Sequence, residues 1–146
     1  MDADARRLAI FAAVTAIVVT SSLVPGPTDA AGEPTPDVAP PGADLLAHFV
    51  GYAAVAFTLG RAIAHRLPRD GSGEPAALLP LLGVVAVSTG IGAGVEVVQS
   101  VVPGRDPSAL DAVANAAGAV VGALVWRRGE VDGDDADRDD HCDGSE

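Results

Sequence analysis

The sequence contains no lysine: all nine basic residues are arginine, set against 20 acids, and the formal net charge is -11. With no basic stripe along the chain, no nucleic-acid partner is expected. The single cysteine, Cys142, stands in the polar C-terminal stretch, so no internal disulfide can form and no C-x-x-C metal motif exists. Neither a metal-ligand spacing nor a Ser-His-Asp or Cys-His arrangement is recognisable, and the expectation is no metal and no other cofactor. Aromatic residues make up only 3% of the chain although 49% of it is apolar, and the mean hydropathy is +0.32. At 146 residues, that profile suits a small one-domain membrane protein better than a soluble one.

The negative charge is unevenly spread. Nine of the acids fall between residues 130 and 146, where Arg138 is the sole base. This stretch is spaced by Asp and Gly without apolar periodicity, so residues 129–146 are expected to form an acidic, disordered tail. Arginine without lysine, together with heavy Ala, Val, Gly and Asp usage, is a composition of the salt-adapted, GC-rich kind.

What the chain does have is four long apolar runs. Residues 8–24 carry no charge over 17 positions, follow Arg6 and Arg7, and are stopped by Pro25-Gly26-Pro27. A span needs roughly 20 residues, with about 17 as the lower limit. A signal peptide competes for this segment, since a basic start, an apolar core and small residues near Ala30 and Ala31 also fit one. The run is longer than a usual signal core and other spans follow it, so a retained helix is the reading adopted. Residues 25–42, rich in Pro, Gly, Ala and acids, read as a loop.

The second run, 45–63, ends at a basic loop holding Arg61, Arg66 and Arg69. The third, 76–98, is opened by Pro75 and Pro80, with first-turn prolines costing little. Its Gly90-x-x-x-Gly94 spacing is one that admits a neighbouring helix closely. Residues 100–107 allow only a tight antiparallel return. The fourth run, 109–126, sets Ala114, Gly118 and Gly122 on one face and closes with Trp126-Arg127-Arg128, an interfacial anchor. The expected fold is all-α: a four-helix integral membrane bundle over residues 1–128, multi-pass in the cell membrane, with the lipid bilayer as its first partner. Oligomeric state is not legible.

Arginine placement predicts orientation. The N-terminus, the second loop and the C-terminal flank hold Arg6, Arg7, Arg61, Arg66, Arg69, Arg127 and Arg128, whereas the other two loops hold only Arg105. By the positive-inside rule both termini are cytoplasmic and helices 3 and 4 are joined by a short outer hairpin.

That orientation puts Asp44, His48, Tyr52, Glu96, Gln99, Asp111 and Asn115 together toward the outer side. Asp44, His48 and Tyr52 recur every four residues and so share one helix face, as do Glu96 and Gln99 at a spacing of three, and Asp111, Asn115, Gly118 and Gly122. Ionisable groups are costly in lipid, so their grouping suggests a shared polar pocket at the outer leaflet. His48 and Glu96 are the candidate acid/base pair; Asp44, Tyr52, Gln99, Arg105, Asp111 and Asn115 are candidate ligand-binding residues. Carboxylates could also hold a divalent cation through oxygen, and Arg105 could meet a phosphate or carboxylate bidentately. Each residue equally has a structural reading: Asp111 favoured by the helix dipole, Asn115 as an interhelical hydrogen-bonder, Tyr52 as packing, Arg105 pairing within its turn. Gly90, Gly94, Gly118 and Gly122 are candidate packing positions.

The pattern Asp44-x-x-x-His48-Phe49-x-x-Tyr52, followed by Glu96-x-x-Gln99, Pro103-Gly104-Arg105, Ser108, Asp111, Asn115, Gly118 and Gly122, resembles the VanZ-like family of small integral membrane proteins over roughly residues 42 to 124. The family often has a lysine directly after the aspartate, where this chain has Leu45, so no role for that cation carries over. The resemblance implies a helical membrane fold and an envelope role, with a lipid headgroup or envelope precursor as the expected partner; the family is named for a protein linked to low-level teicoplanin resistance. A non-catalytic scaffold, with the same residues forming an interhelical hydrogen-bond network, is the alternative expectation.

Overall fold

The computed structural model describes residues 2–24, 42–67, 75–102 and 108–142, with side chains in the last two blocks from 78 to 102 and from 108 to 129. Among these residues there are four α-helices and no strand: α1 (Ala3–Leu23), α2 (Ala43–Ile63), α3 (Pro75–Gln99) and α4 (Ala109–Cys142), with a 3₁₀ turn, Ala64–Arg66, continuing α2. Each has a segment long and apolar enough to cross a membrane. At 1.5 Å per residue, the 21 residues of α1 or α2 reach roughly 30 Å, about the thickness of a bilayer's hydrocarbon core.

α1 and α2 begin earlier than their apolar runs because their first turns are polar. Asp2 Oδ1 accepts the Ala5 N–H at 2.7 Å, and Asp4 adds an acid to the first turn of α1, where unpaired N–H groups favour negative charge. α2 starts at Gly42, whose φ of 83° lies in the left-handed region that glycine adopts at no steric cost.

Contacts at the ends of the helices fix their relative direction. The start of α1 meets the turn after α2 through Asp4 and His65, 3.4 Å apart, and its end meets the end of α3, where Gln99 Nε2 donates to the Ser22 carbonyl at 2.7 Å. His48 near the start of α2 bonds Asn115 near the start of α4. α1 and α3 therefore run one way and α2 and α4 the other.

The tightest packing is between α2 and α4. Gly118 lies against the Phe49 carbonyl and Gly122 against the Ala53 carbonyl, so closely that a Cβ at either glycine would collide with backbone. Small residues four apart are what let two helices approach to this degree. Below that seam Ala56, Val84, Ala119, Ala123 and Trp126 form the buried apolar core, and the Trp126 ring covers Gly60. The outward faces are apolar as well: Leu79, Leu82, Val97, Leu110 and Val113 are all exposed, as a lipid-facing surface requires.

Several expectations are corrected. Gly90 and Gly94 face open space and form no packing seam. The inward stripe of α3 is Val84, Ser88, Gly92, Val95 and Gln99, and at about 100° per residue Gly90 and Gly94 point away from it. Gly92 is the close approach, with Asn115 packed over its Cα. Trp126 is a core residue, 6% exposed, instead of an interfacial anchor. Pro80 lies inside α3, not in its first turn, so the Ala76 carbonyl loses an N–H partner. Finally, α4 continues to Cys142 where a helix end at 126 and a disordered tail from 129 were expected. No proline interrupts this stretch, and extending an existing helix adds one hydrogen bond per residue without a new nucleation cost.

Candidate functional site

The polar side chains of the helices gather at one end of the bundle, formed by the end of α1, the start of α2, the end of α3 and the start of α4. They divide into two groups, one that ties helices together and one that turns toward the aqueous rim.

Gln99, 3% exposed, spends its amide on the Ser22 carbonyl and so holds α1 against α3. Glu96 sits at the start of α4: its Oε2 accepts the Ser108 N–H at 3.1 Å, while Ser108 Oγ accepts the Leu110 N–H at 3.2 Å. The first N–H groups of a helix have no intrahelical partner, and a carboxylate there is favoured twice, by hydrogen bonding and by the dipole. This corrects the expected pairing of His48 with Glu96. No hydrogen bond joins them among the described residues: one carboxylate oxygen is taken up at the start of α4 and the other has no partner.

His48 is instead held by Asn115, with 3.0 Å between Nδ1 and Oδ1. An amide oxygen can only accept, so Nδ1 carries the proton and donates. In the neutral ring that leaves Nε2 with its lone pair, directed at Asp44 Oδ1 4.0 Å away, beyond hydrogen-bond reach. Asp111 completes this group: one donor atom from each of Asp44, His48 and Asp111 lies within 4.8 Å of the others. Burial falls off outward, since the Asp111 residue is 9% exposed and the His48 side chain 4%, whereas the Asp44 side chain is 67% exposed. The cluster is closed toward the core and open toward the rim.

Beneath it, Tyr52 Oη, Ser88 Oγ, Asn115 Nδ2 and Glu96 Oε1 are buried without a hydrogen-bond partner. Tyr52 lies one turn below His48 on the same face, as its spacing predicts. Arg105 lies outside the described residues, and so does the turn around it. Ser88 was missed in the sequence: on a helix apolar nearly all round, the Val84–Gly92–Val95–Gln99 stripe on which it falls does not stand out. The Asp44–His48–Asp111 convergence could not be read as a metal-type spacing, because two members are four apart on one helix and the third is 63 positions on.

The fold and this cluster define an all-helical chain with the architecture of a multi-pass membrane protein, carrying a histidine between two carboxylates at one end of its bundle. No protein-family model, curated protein or solved structure matches the chain.

Proposed function

We propose that this chain is a VanZ-like multi-pass protein of the cell membrane, both termini cytoplasmic and α3 and α4 joined by a short outer hairpin, whose polar end at the outer leaflet binds an anionic or lipid-linked envelope component. The observation that carries the reading is the Asp44–His48–Asp111 group, a buried histidine and a buried acid opening toward the rim through an exposed acid. Charged groups at this depth are costly unless they serve a ligand or a path. Arg105, in the outer hairpin, meets the anionic oxygen, and Tyr52 and Asn115 contribute hydrogen bonds from below. An acid/base role for His48 together with Glu96 is not part of this reading, because Glu96 is engaged at the start of α4.

A second reading, a non-catalytic scaffold, is favoured by a different observation: the bonds from Gln99 to Ser22, from Ser108 to Glu96 and from His48 to Asn115 are all internal and all tie helices or their ends together. Binding of a polyprenyl phosphate, measured against a neutral lipid on the purified chain in nanodiscs, separates the two. The ligand-binding reading expects retention of the phosphate lipid, lost in Arg105→Ala and weakened in Tyr52→Phe, with neither variant melting lower than the parent. No preference for the phosphate lipid, with Gln99→Ala and Asn115→Ala melting lower, would establish the scaffold.

A further inference from the structure

We infer that Asp44, His48 and Asp111 form a binding site for one divalent metal ion of the zinc and manganese class. Three independent features converge on it. The first is geometric: one donor atom from each residue falls within 4.8 Å of the others. Three ligands on one ion, each about 2.0–2.2 Å from it, lie roughly 3.3–3.8 Å apart, so the group has to contract by up to about an ångström or more around the ion. Asp44, whose side chain is exposed, is the member with most freedom to move inward.

The second is the state of the histidine. Asn115 Oδ1 accepts from Nδ1 at 3.0 Å, a bond that in the neutral ring leaves the Nε2 lone pair on the side of Asp44, 4.0 Å away. An oxygen acceptor on the far nitrogen is the arrangement that orients metal-bound imidazoles and raises their basicity. The third is Asp111. Its residue is 91% buried, and its carboxylate makes no hydrogen bond or ion pair among the described residues, while an oxygen of it points into the group. A largely enclosed carboxylate with no partner is favoured by a cation placed beside it.

The donor set selects the ion. One imidazole nitrogen with two carboxylate oxygens suits borderline ions such as zinc or manganese, whereas calcium prefers six to eight oxygens. Three protein donors leave the remaining positions to water or to an anionic oxygen, which lets an acidic rim accept the anionic headgroup proposed above. The metal site concerns the same end of the molecule but needs neither the membrane orientation nor the headgroup, so its test is separate from theirs.

Equilibrium dialysis of the untagged full-length chain in detergent against zinc chloride, with metal content measured directly, provides that test. His141→Ala and Cys142→Ser are introduced first, because the Asp-Asp-His-Cys-Asp run at 139–143 is a competing ligand set. The expected result is one zinc per chain, displaced by manganese only in large excess and not by calcium. Asp44→Asn and Asp111→Asn should each weaken zinc binding at least tenfold at unchanged helix content, and Asn115→Ala roughly 10- to 100-fold, the usual effect of removing an orienting partner. Because Asp44 is exposed, its variant stays folded even where a buried substitution does not. Zinc binding absent from this background, or equal in the parent and Asp44→Asn, would overturn the site.

Discussion

At the scale of the single residue, the polar end of the bundle separates groups whose hydrogen bonds are made from groups whose bonds are not. Tyr52 is fully buried and its hydroxyl has no partner, so Tyr52→Phe removes an unsatisfied donor and little else. We expect the variant to melt no lower than the parent, with a gain of up to about 1–2 kcal/mol; a clear loss in a detergent melt would show that the hydroxyl is engaged. Asp44, His48 and Tyr52 were legible as one face because four-residue spacing fixes a helix face regardless of what packs on it. The partner of His48 was not legible. Choosing between Glu96 and Asn115 depends on how α3 is rotated about its axis, and a helix that is apolar nearly all round carries no strong period to set that rotation.

At the scale of the element, the same rotation decides which glycines matter. Gly118 and Gly122 were readable from the face they share with Ala114, and both lie against α2 backbone that cannot give way. Gly118→Ala and Gly122→Ala should each cost about 1–3 kcal/mol. Gly90→Ala and Gly94→Ala meet nothing within 4 Å and should be neutral or stabilising by about 0.4–1 kcal/mol, through a less flexible unfolded chain. Chemical denaturation of the four variants in one detergent checks both halves; equal losses in all four would mean that α3 also packs through Gly90 and Gly94. The existence of all four helices was legible from run length alone, whereas their ends were not. Asp2 begins α1 through a cap that lies outside the apolar run, and α4 continues through polar sequence that hydropathy assigns to solvent.

At the scale of the whole molecule, the up-and-down arrangement follows from contacts at the two ends, while the side each end faces rests on arginine placement. Thr35→Cys and Asp70→Cys in a Cys142→Ser background test the proposed orientation with a membrane-impermeant thiol reagent. Thr35→Cys should label in intact cells and Asp70→Cys only after lysis; the opposite pattern would place the histidine and its acids on the inner side. The fold class was legible because lipid-length apolar runs admit few structures other than helices.

The loose seating of α1 has a consequence for the competing signal-peptide reading of its sequence. None of its residues is buried, and it is fastened mainly at its extremities, by Asp4 to His65 and by the Ser22 carbonyl to Gln99, with Val18 resting on Gly51 between them. Every atom of the histidine–acid cluster comes from the other helices. Removal of α1 would take away the carbonyl that accepts the Gln99 amide and leave in place all three side chains of that cluster.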